Sequence, residues 1–193
     1  MANNNSKKGM LVEVEPLKTK DEIRKMLDQL GRSQNGLRDQ LFFKMGISTG
    51  LRCGDLVALK VEQVKGNTSF KIREGKTKKE RTVYLNNLMA DIADYIKTLS
   101  TGTVYLFPSR KGVGHITTTQ AYRIITHAGD MVGIKKVGTH TMRKTFGYTY
   151  YQATKDVATL MEIFNHSSQK ITLRYIGMTE ESIENSIKNI SFY

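Results

Sequence analysis

From Thr19 to Gly31 the chain reads TKDEIRKMLDQLG, with Ile23, Met26, Leu27 and Leu30 at helical spacing among polar residues. Thr19 followed by Glu22 has the spacing of a capping box, and Gly31 can close the helix. Gly36 to Ser48 is a second helix, apolar enough to be central. TGLRCGDLVALK reads as a turn into a short helix. From Val61 the period shortens, and VEQVKGNTSFKIREGKTKKERTVYL predicts two or three small antiparallel strands broken by KGN and EGKTKKE. Asn86 or Asn87 can cap a helix over Leu88 to Leu99, and TVYLF is a short extended segment closed by Pro108. A helix starts near Thr118 and ends by Gly133, and THTMRKTFGYTYYQAT and KDVATLMEIFNH are both helical. A short helix then carries Tyr175, and TEESIENSIKNISFY is a last amphipathic helix with Ile183, Ile187 and Ile190 on one side. The fold class is therefore α+β, mostly α-helical, with one small antiparallel sheet.

Length changes this picture little: 193 residues fit one domain with short appendages. MANNNSKKGM has no apolar signal core and reads as the start of a polar, basic, disordered leader over residues 1–15. The single cysteine, Cys53, rules out a disulfide within the chain, leaves a cysteine metal site without partners and favours a reducing, cytoplasmic setting. It is expected to pack in the core. No apolar run reaches the roughly 18 residues of a membrane span.

Charge changes it more. Thirty Lys and Arg against eighteen Asp and Glu give +12, which suits a polyanionic partner such as DNA. Between Lys65 and Leu85 there are seven basic and two acidic residues. A hairpin tip with Lys76, Lys78, Lys79 and Arg81 could touch phosphates in a DNA groove; the plain alternative is a solvated turn. In STGLRCGDL, Arg52 follows a Gly turn and Asp55 lies one turn on, so the two could also be a surface ion pair. In THTMRK, His140 and Arg143 share a helix face, and a phosphate would satisfy both. NHSSQKITLRYIG adds His166 and Tyr175. This inventory lacks a carboxylate cluster for Mg²⁺. It instead offers fixed cations, a general acid and a protein nucleophile.

These motifs, in this order, resemble the tyrosine recombinases of the phage-integrase family. The segments are TGLRCGDL with Arg52, GKTKKERTVYL with Lys76, HTMR with His140 and Arg143, and NHSS with His166, then Tyr175. The resemblance runs from about Pro16 to Tyr175. It implies that Tyr175 attacks the scissile phosphate to give a 3′-phosphotyrosine and a free 5′-hydroxyl. Arg52 and Arg143 would clamp the phosphate oxygens, and Lys76 would protonate the leaving oxygen, with Lys78 and Lys79 as rivals. His140 would take part in proton transfer, His166 would support the transition state, and Asp55 would orient Arg52 and His140. Lys78, Lys79, Arg81 and Lys144 are candidate DNA contacts. Neither metal nor cofactor is expected.

Three positions depart from the family pattern: Asp55 for the usual Glu, Asn165 for Gly, and Lys144 where His is common. Only about 50 residues precede Arg52, so an N-terminal core-binding domain is not expected. The expected organisation is a leader over 1–15, a catalytic domain over 16–178 and a helical tail over 179–193 that could be exchanged between protomers. The implied partners are double-stranded DNA, further copies of the chain (dimer to tetramer on DNA) and an accessory DNA-binding protein. The competing reading is a non-catalytic DNA-binding regulator on the same fold.

Overall fold

A computed structural model describes residues 14–178, together with 188 and 191. The expected leader over 1–13 and the expected last helix with Ile183, Ile187 and Ile190 lie outside the described residues. Val14 and Glu15 correct the leader's boundary, because both are docked on the domain. Lys144 Nζ donates to the Val14 carbonyl at 2.7 Å, and the Glu15 amide donates to the Lys136 carbonyl at 2.9 Å.

Helix α1 (Lys20–Gly31) starts at the capping box read from the sequence: the Glu22 amide donates to Thr19 Oγ1 at 3.1 Å, and the Thr19 amide to Glu22 Oε2 at 2.9 Å. It buries Met26 and Leu30 against α2 (Gly36–Thr49), which contributes Leu41, Phe42, Phe43 and Met45 to the core. Helix α2 also packs on α3 (Cys53–Val57), α5 (Met89–Lys97) and α7 (Thr139–Thr154), so it is central, as its apolar content predicts.

The expected strand at Val61 is instead a helical turn, α4 (Val61–Val64). The Lys60 amide donates to Gln63 Oε1 at 2.8 Å, the Lys65 amide returns to the Val61 carbonyl at 2.9 Å, and Val64 is buried. Two strands follow, β1 (Ser69–Arg73) and β2 (Glu80–Tyr84), antiparallel with Phe70 opposite Val83 and Ile72 opposite Arg81. Alternation puts Phe70 and Ile72 on the core side, with Val83 and Arg81 across from them. TVYLF is extended, and the Leu106 amide donates to the Leu59 carbonyl at 2.8 Å. Helix α6 (Thr118–Met131) starts on Thr117, whose hydroxyl accepts from the Gln120 amide at 3.1 Å. Helices α8 (Val157–Phe164) and α9 (Gln169–Tyr175) complete the described chain.

Two apolar clusters result. The larger joins α1–α6 and the hairpin around Phe42, Phe43 and Phe107, with Cys53 packed against it. The smaller holds Leu160, Phe164 and Ile176, flanked by aromatics of α7. Helix α7 lies along both; Met142 belongs to the first and Phe146 to the second.

Candidate active site

Helix α2 ends at Gly50, whose left-handed φ of 61° suits glycine and turns the chain toward α3. Arg52, the N-cap of α3, pairs through Nη1 with Glu74 Oε2 and donates through Nη2 to the Phe164 carbonyl at 3.4 Å. Arg143, buried on α7, donates through Nη1 to the Gly50 carbonyl and through Nη2 to the same Phe164 carbonyl at 3.4 Å. Its guanidinium carbon lies 4.5 Å from the Phe164 ring centroid. The last residue of α8 thus registers two arginines 91 positions apart in the chain.

Glu74, which follows β1, is buried between these arginines. Its Oε1 is 3.9 Å from Arg143 Nη1 and 3.3 Å from Arg81 Nε, and Thr77 Oγ1 donates to Oε2 at 2.9 Å. Burial pushes the Glu74 carboxyl upward, but Thr77, Arg52 and Arg143 outweigh it and hold the group below its usual value. Burial pushes the Arg143 guanidinium down to about 10, with Arg52 and Arg81 acting the same way and Tyr175 and Glu74 opposing.

Tyr175 closes α9. Its ring stands edge-on to Phe164 (centroids 5.3 Å, interplanar 71°) and to His166 (5.2 Å, 75°). Burial raises the phenol, and the positive fields of Arg143 and Arg52 pull it back. His166 follows Asn165, the left-handed C-cap of α8 at φ 55°. Asn tolerates that conformation better than most residues, which explains how it stands where glycine is usual. His166 Nδ1 is 3.0 Å from the hydroxyl of Thr172, buried one turn before Tyr175, and this contact ties the His166 loop to α9. Burial, then Arg143 and Arg52, lower the His166 imidazole. His140 is exposed near the start of α7 and is also lowered, by desolvation and then by Arg143, Lys144, Lys76 and Arg52.

The result is a cluster of three guanidiniums around Glu74, with Tyr175 and His166 at its edge. The model of the phage integrase family matches residues 18–182. The chain belongs to the phage integrase family.

A probable integrase/recombinase, YoeC of Bacillus subtilis, is 39% identical over 176 residues, covering 91% of this chain and 96% of that protein. Tyrosine recombinase XerA of Pyrococcus furiosus is 26% identical over 174 residues, covering 88% and 60%. The chain therefore spans nearly all of the first relative and about 60% of the second. Among solved structures, the XerA recombinase aligns with a TM-score of 0.74 at 22% identity (92% of this chain, 67% of that one). The catalytic domain of bacteriophage HP1 integrase aligns at 0.59 and 23% (92% and 95%). At those identities the likeness is one of fold, and it matches the expected α+β, mostly helical class.

Within this phage integrase family domain, Arg52, Arg143, His166 and Tyr175 converge through Phe164, and His140 lies within their field. Lys76 sits exposed on the hairpin turn, near enough for its charge to act on His140. Lys78 is exposed at φ 59°, and Lys79 reaches across to Asn165 Oδ1. Two expectations are corrected. Asp55 does not orient Arg52 or His140; its Oδ1 accepts from the Gly75 amide at 2.8 Å, so it pins the turn that carries Lys76. Arg81 turns inward, to Glu74 and to the Thr49 carbonyl at 2.9 Å, because it shares the core-facing parity of Val83. Lys144, a candidate DNA contact, binds the Val14 carbonyl and lies 5.4 Å from the Tyr175 ring centroid.

Sequence reasoning missed Glu74, Phe164 and Thr172. Glu74 left a signal: with Phe70 and Ile72 it continues the inward parity of β1. Thr172 left a weaker one, three residues before Tyr175 on the same short helix. Phe164 acts through its backbone carbonyl, which side-chain spacing does not report.

Proposed function

We propose that this chain cuts and rejoins double-stranded DNA as a site-specific recombinase through a 3′-phosphotyrosine intermediate. The observation that carries the reading is the convergence of Tyr175 with Arg52 and Arg143 on Phe164, the arginines at its carbonyl and the tyrosine at its ring. Tyr175 Oη attacks the scissile phosphorus, an O–P bond forms, and the P–O5′ bond breaks. The phenol proton passes to His140, which its lowered pKa keeps neutral and able to accept. Lys76 delivers a proton to the departing 5′-oxygen. Arg52 and Arg143 neutralise the charge that builds on the non-bridging oxygens, and His166 adds a contact there. Rejoining reverses these steps with the 5′-hydroxyl of a second strand, so the phosphodiester energy is conserved in the phosphotyrosine and no metal or ATP is required.

On this reading the chain acts in the cytoplasm on DNA, as a dimer to tetramer, with an accessory DNA-binding protein able to supply grip. Lys78 and Lys79 stay the candidate hairpin contacts to phosphate. Among the described residues, no helix is long and apolar enough to cross a membrane.

The test is a nicked DNA substrate that loses its 5′-hydroxyl fragment on cleavage and so traps the covalent complex. Wild-type protein should form an adduct stable to denaturant, and Tyr175→Phe should form none while keeping its fold and its DNA affinity. An adduct that persists in Tyr175→Phe refutes the assigned nucleophile. DNA binding without adduct in the wild type would instead favour a non-catalytic regulator.

A further inference from the structure

The arginine clamp is already filled by a group from the chain itself. Glu74 faces Arg52, Arg81 and Arg143; Arg52 and Thr77 donate hydrogen bonds to it, and Arg81 and Arg143 meet it as ion pairs. A carboxylate offers guanidinium the same kind of paired, negatively charged oxygens that a phosphate offers. We infer that Glu74 is a positioning residue that stands in for the scissile phosphate: it holds the three guanidiniums together in the free protein and withdraws when a phosphodiester enters. This inference rests on reading Arg52 and Arg143 as the phosphate clamp.

Three further observations bear on it. First, the fit is incomplete. Glu74 Oε1 and Arg81 Nε are both buried and 3.3 Å apart, yet neither has a hydrogen bond. The carboxylate thus meets Arg81 as an ion pair without a well-aligned hydrogen bond, a mismatch that an oxyanion of different shape can relieve. Second, the side chain can leave without dismantling the hairpin. The Glu74 amide donates to the Lys79 carbonyl and the Lys78 amide to the Glu74 carbonyl, each at 2.9 Å, so the backbone closes the turn whatever the carboxylate does. Asp55 holds the next residue, Gly75, through its amide. Third, the same turn carries Lys76 and reaches Asn165, the residue before His166, through Lys79. Exchanging carboxylate for phosphate is therefore felt on the element that brings Lys76 to the site.

Two anions compete for one clamp, so Glu74 should weaken binding of any oxyanion in proportion to the time it spends inside. Inorganic sulfate is a suitable probe, since it needs neither target DNA nor catalysis. At constant ionic strength, balanced with chloride, Glu74→Gln should bind sulfate about tenfold more tightly than wild type, the change expected if the clamp is open about one-tenth of the time. Glu74→Asp, which keeps the charge, should stay close to wild type. Glu74→Gln should also lose thermal stability in chloride and regain it in sulfate. Sulfate affinity that is unchanged or weaker in Glu74→Gln overturns the inference and makes Glu74 a simple brace. A third measurement needs no folded variant. In wild-type protein labelled with ¹³C at glutamate carboxyls, the buried Glu74 resonance should move to a solvent-exposed shift at saturating sulfate. A resonance that stays put at saturation overturns the inference as well. Failure of covalent attachment to DNA would sink the recombinase reading while leaving the sulfate result intact, so the two can fail separately.

Discussion

The larger apolar cluster draws on α1 to α6 and the hairpin, and many of its side chains, Phe42, Phe43, Met45 and Leu56 among them, are almost fully sequestered. The smaller cluster has three fully buried members, Leu160, Phe164 and Ile176, and a partly exposed fringe that includes Tyr148, Tyr150, Leu173 and Tyr175. The candidate site lies across the two. Arg52, Glu74 and Arg81 belong to elements of the large cluster, whereas the proposed nucleophile lies in the fringe of the small one and His166 packs on its Phe164 ring. Arg143 bridges them from α7, with one contact to Gly50 and another to Phe164. The clamp thus stands on a deep foundation and the nucleophile on a shallow one. A segment with few buried apolar contacts opens at lower free energy than the core it rests on. That suits a group that must approach and leave a phosphate while its binding site stays in place.

The largest expected effect is chemical. Tyr175→Phe should remove covalent attachment altogether, yet keep the ring contacts to Phe164 and His166 and so change stability little. A large loss of stability would show that the hydroxyl anchors α9, and the separation between foundation and nucleophile would weaken.

Next is the deep core. Phe43→Ala removes a fully buried ring and should cost about 3–5 kcal/mol of global stability, measured by urea unfolding. Amide exchange should then quicken throughout α1, α2 and α8 alike. Gly147→Ala strikes the small cluster instead. A Cβ there would stand 2.6 Å from Ile176 Cγ2 and 2.7 Å from the Phe164 ring, too close without a shift of α8 or α9. Overpacking of this kind costs about 1–3 kcal/mol. Exchange should quicken in α8 and α9 while α1 and α2 keep their protection, and adduct formation should slow because Phe164 carries the contact to both arginines. If protection falls uniformly, the two clusters open as one unit and the comparison fails.

The two regions were also unequally legible in the sequence. Helix α1 follows from local periodicity and its capping box, and α2 from its apolar content, signals contained within about a dozen positions. Val61–Val64 reads as strand in the sequence because four residues cannot separate a helical turn from an alternating strand. The proposed site residues are legible as types at the spacing of the family motifs, but their structural partners are not. Asp55 finds its partner at Gly75, twenty positions on, and Arg52 meets Phe164 at a distance of 112. Such pairings are made by packing α3, the hairpin and α8 together, and one-dimensional spacing does not carry them. Glu74 is the exception, since strand parity alone places it inward among cations.

The smallest effect is one of protons, and it concerns the nucleophile side. His140 and His166 both have imidazoles lowered from the ordinary value of 6.5. The unfolded chain therefore takes up their protons first as pH falls. Their contribution to stability is fully present above about pH 6.5 and is lost as pH drops through the lowered folded values. The Glu74 carboxyl, lowered from 4.5, has its contribution fully present above that value and loses it as pH falls further, toward its lowered folded value. Between pH 8 and 5.5, urea stability should decline gently, and His166→Asn should flatten the decline. Because His166 is tied to α9 through Thr172, amide exchange in α9 should quicken before exchange in α2. Sulfate in the clamp gives an imidazolium an anion to face and should blunt the pH dependence. A decline that His166→Asn leaves untouched, or that begins in α2, would place the proton-sensitive step in the deep core.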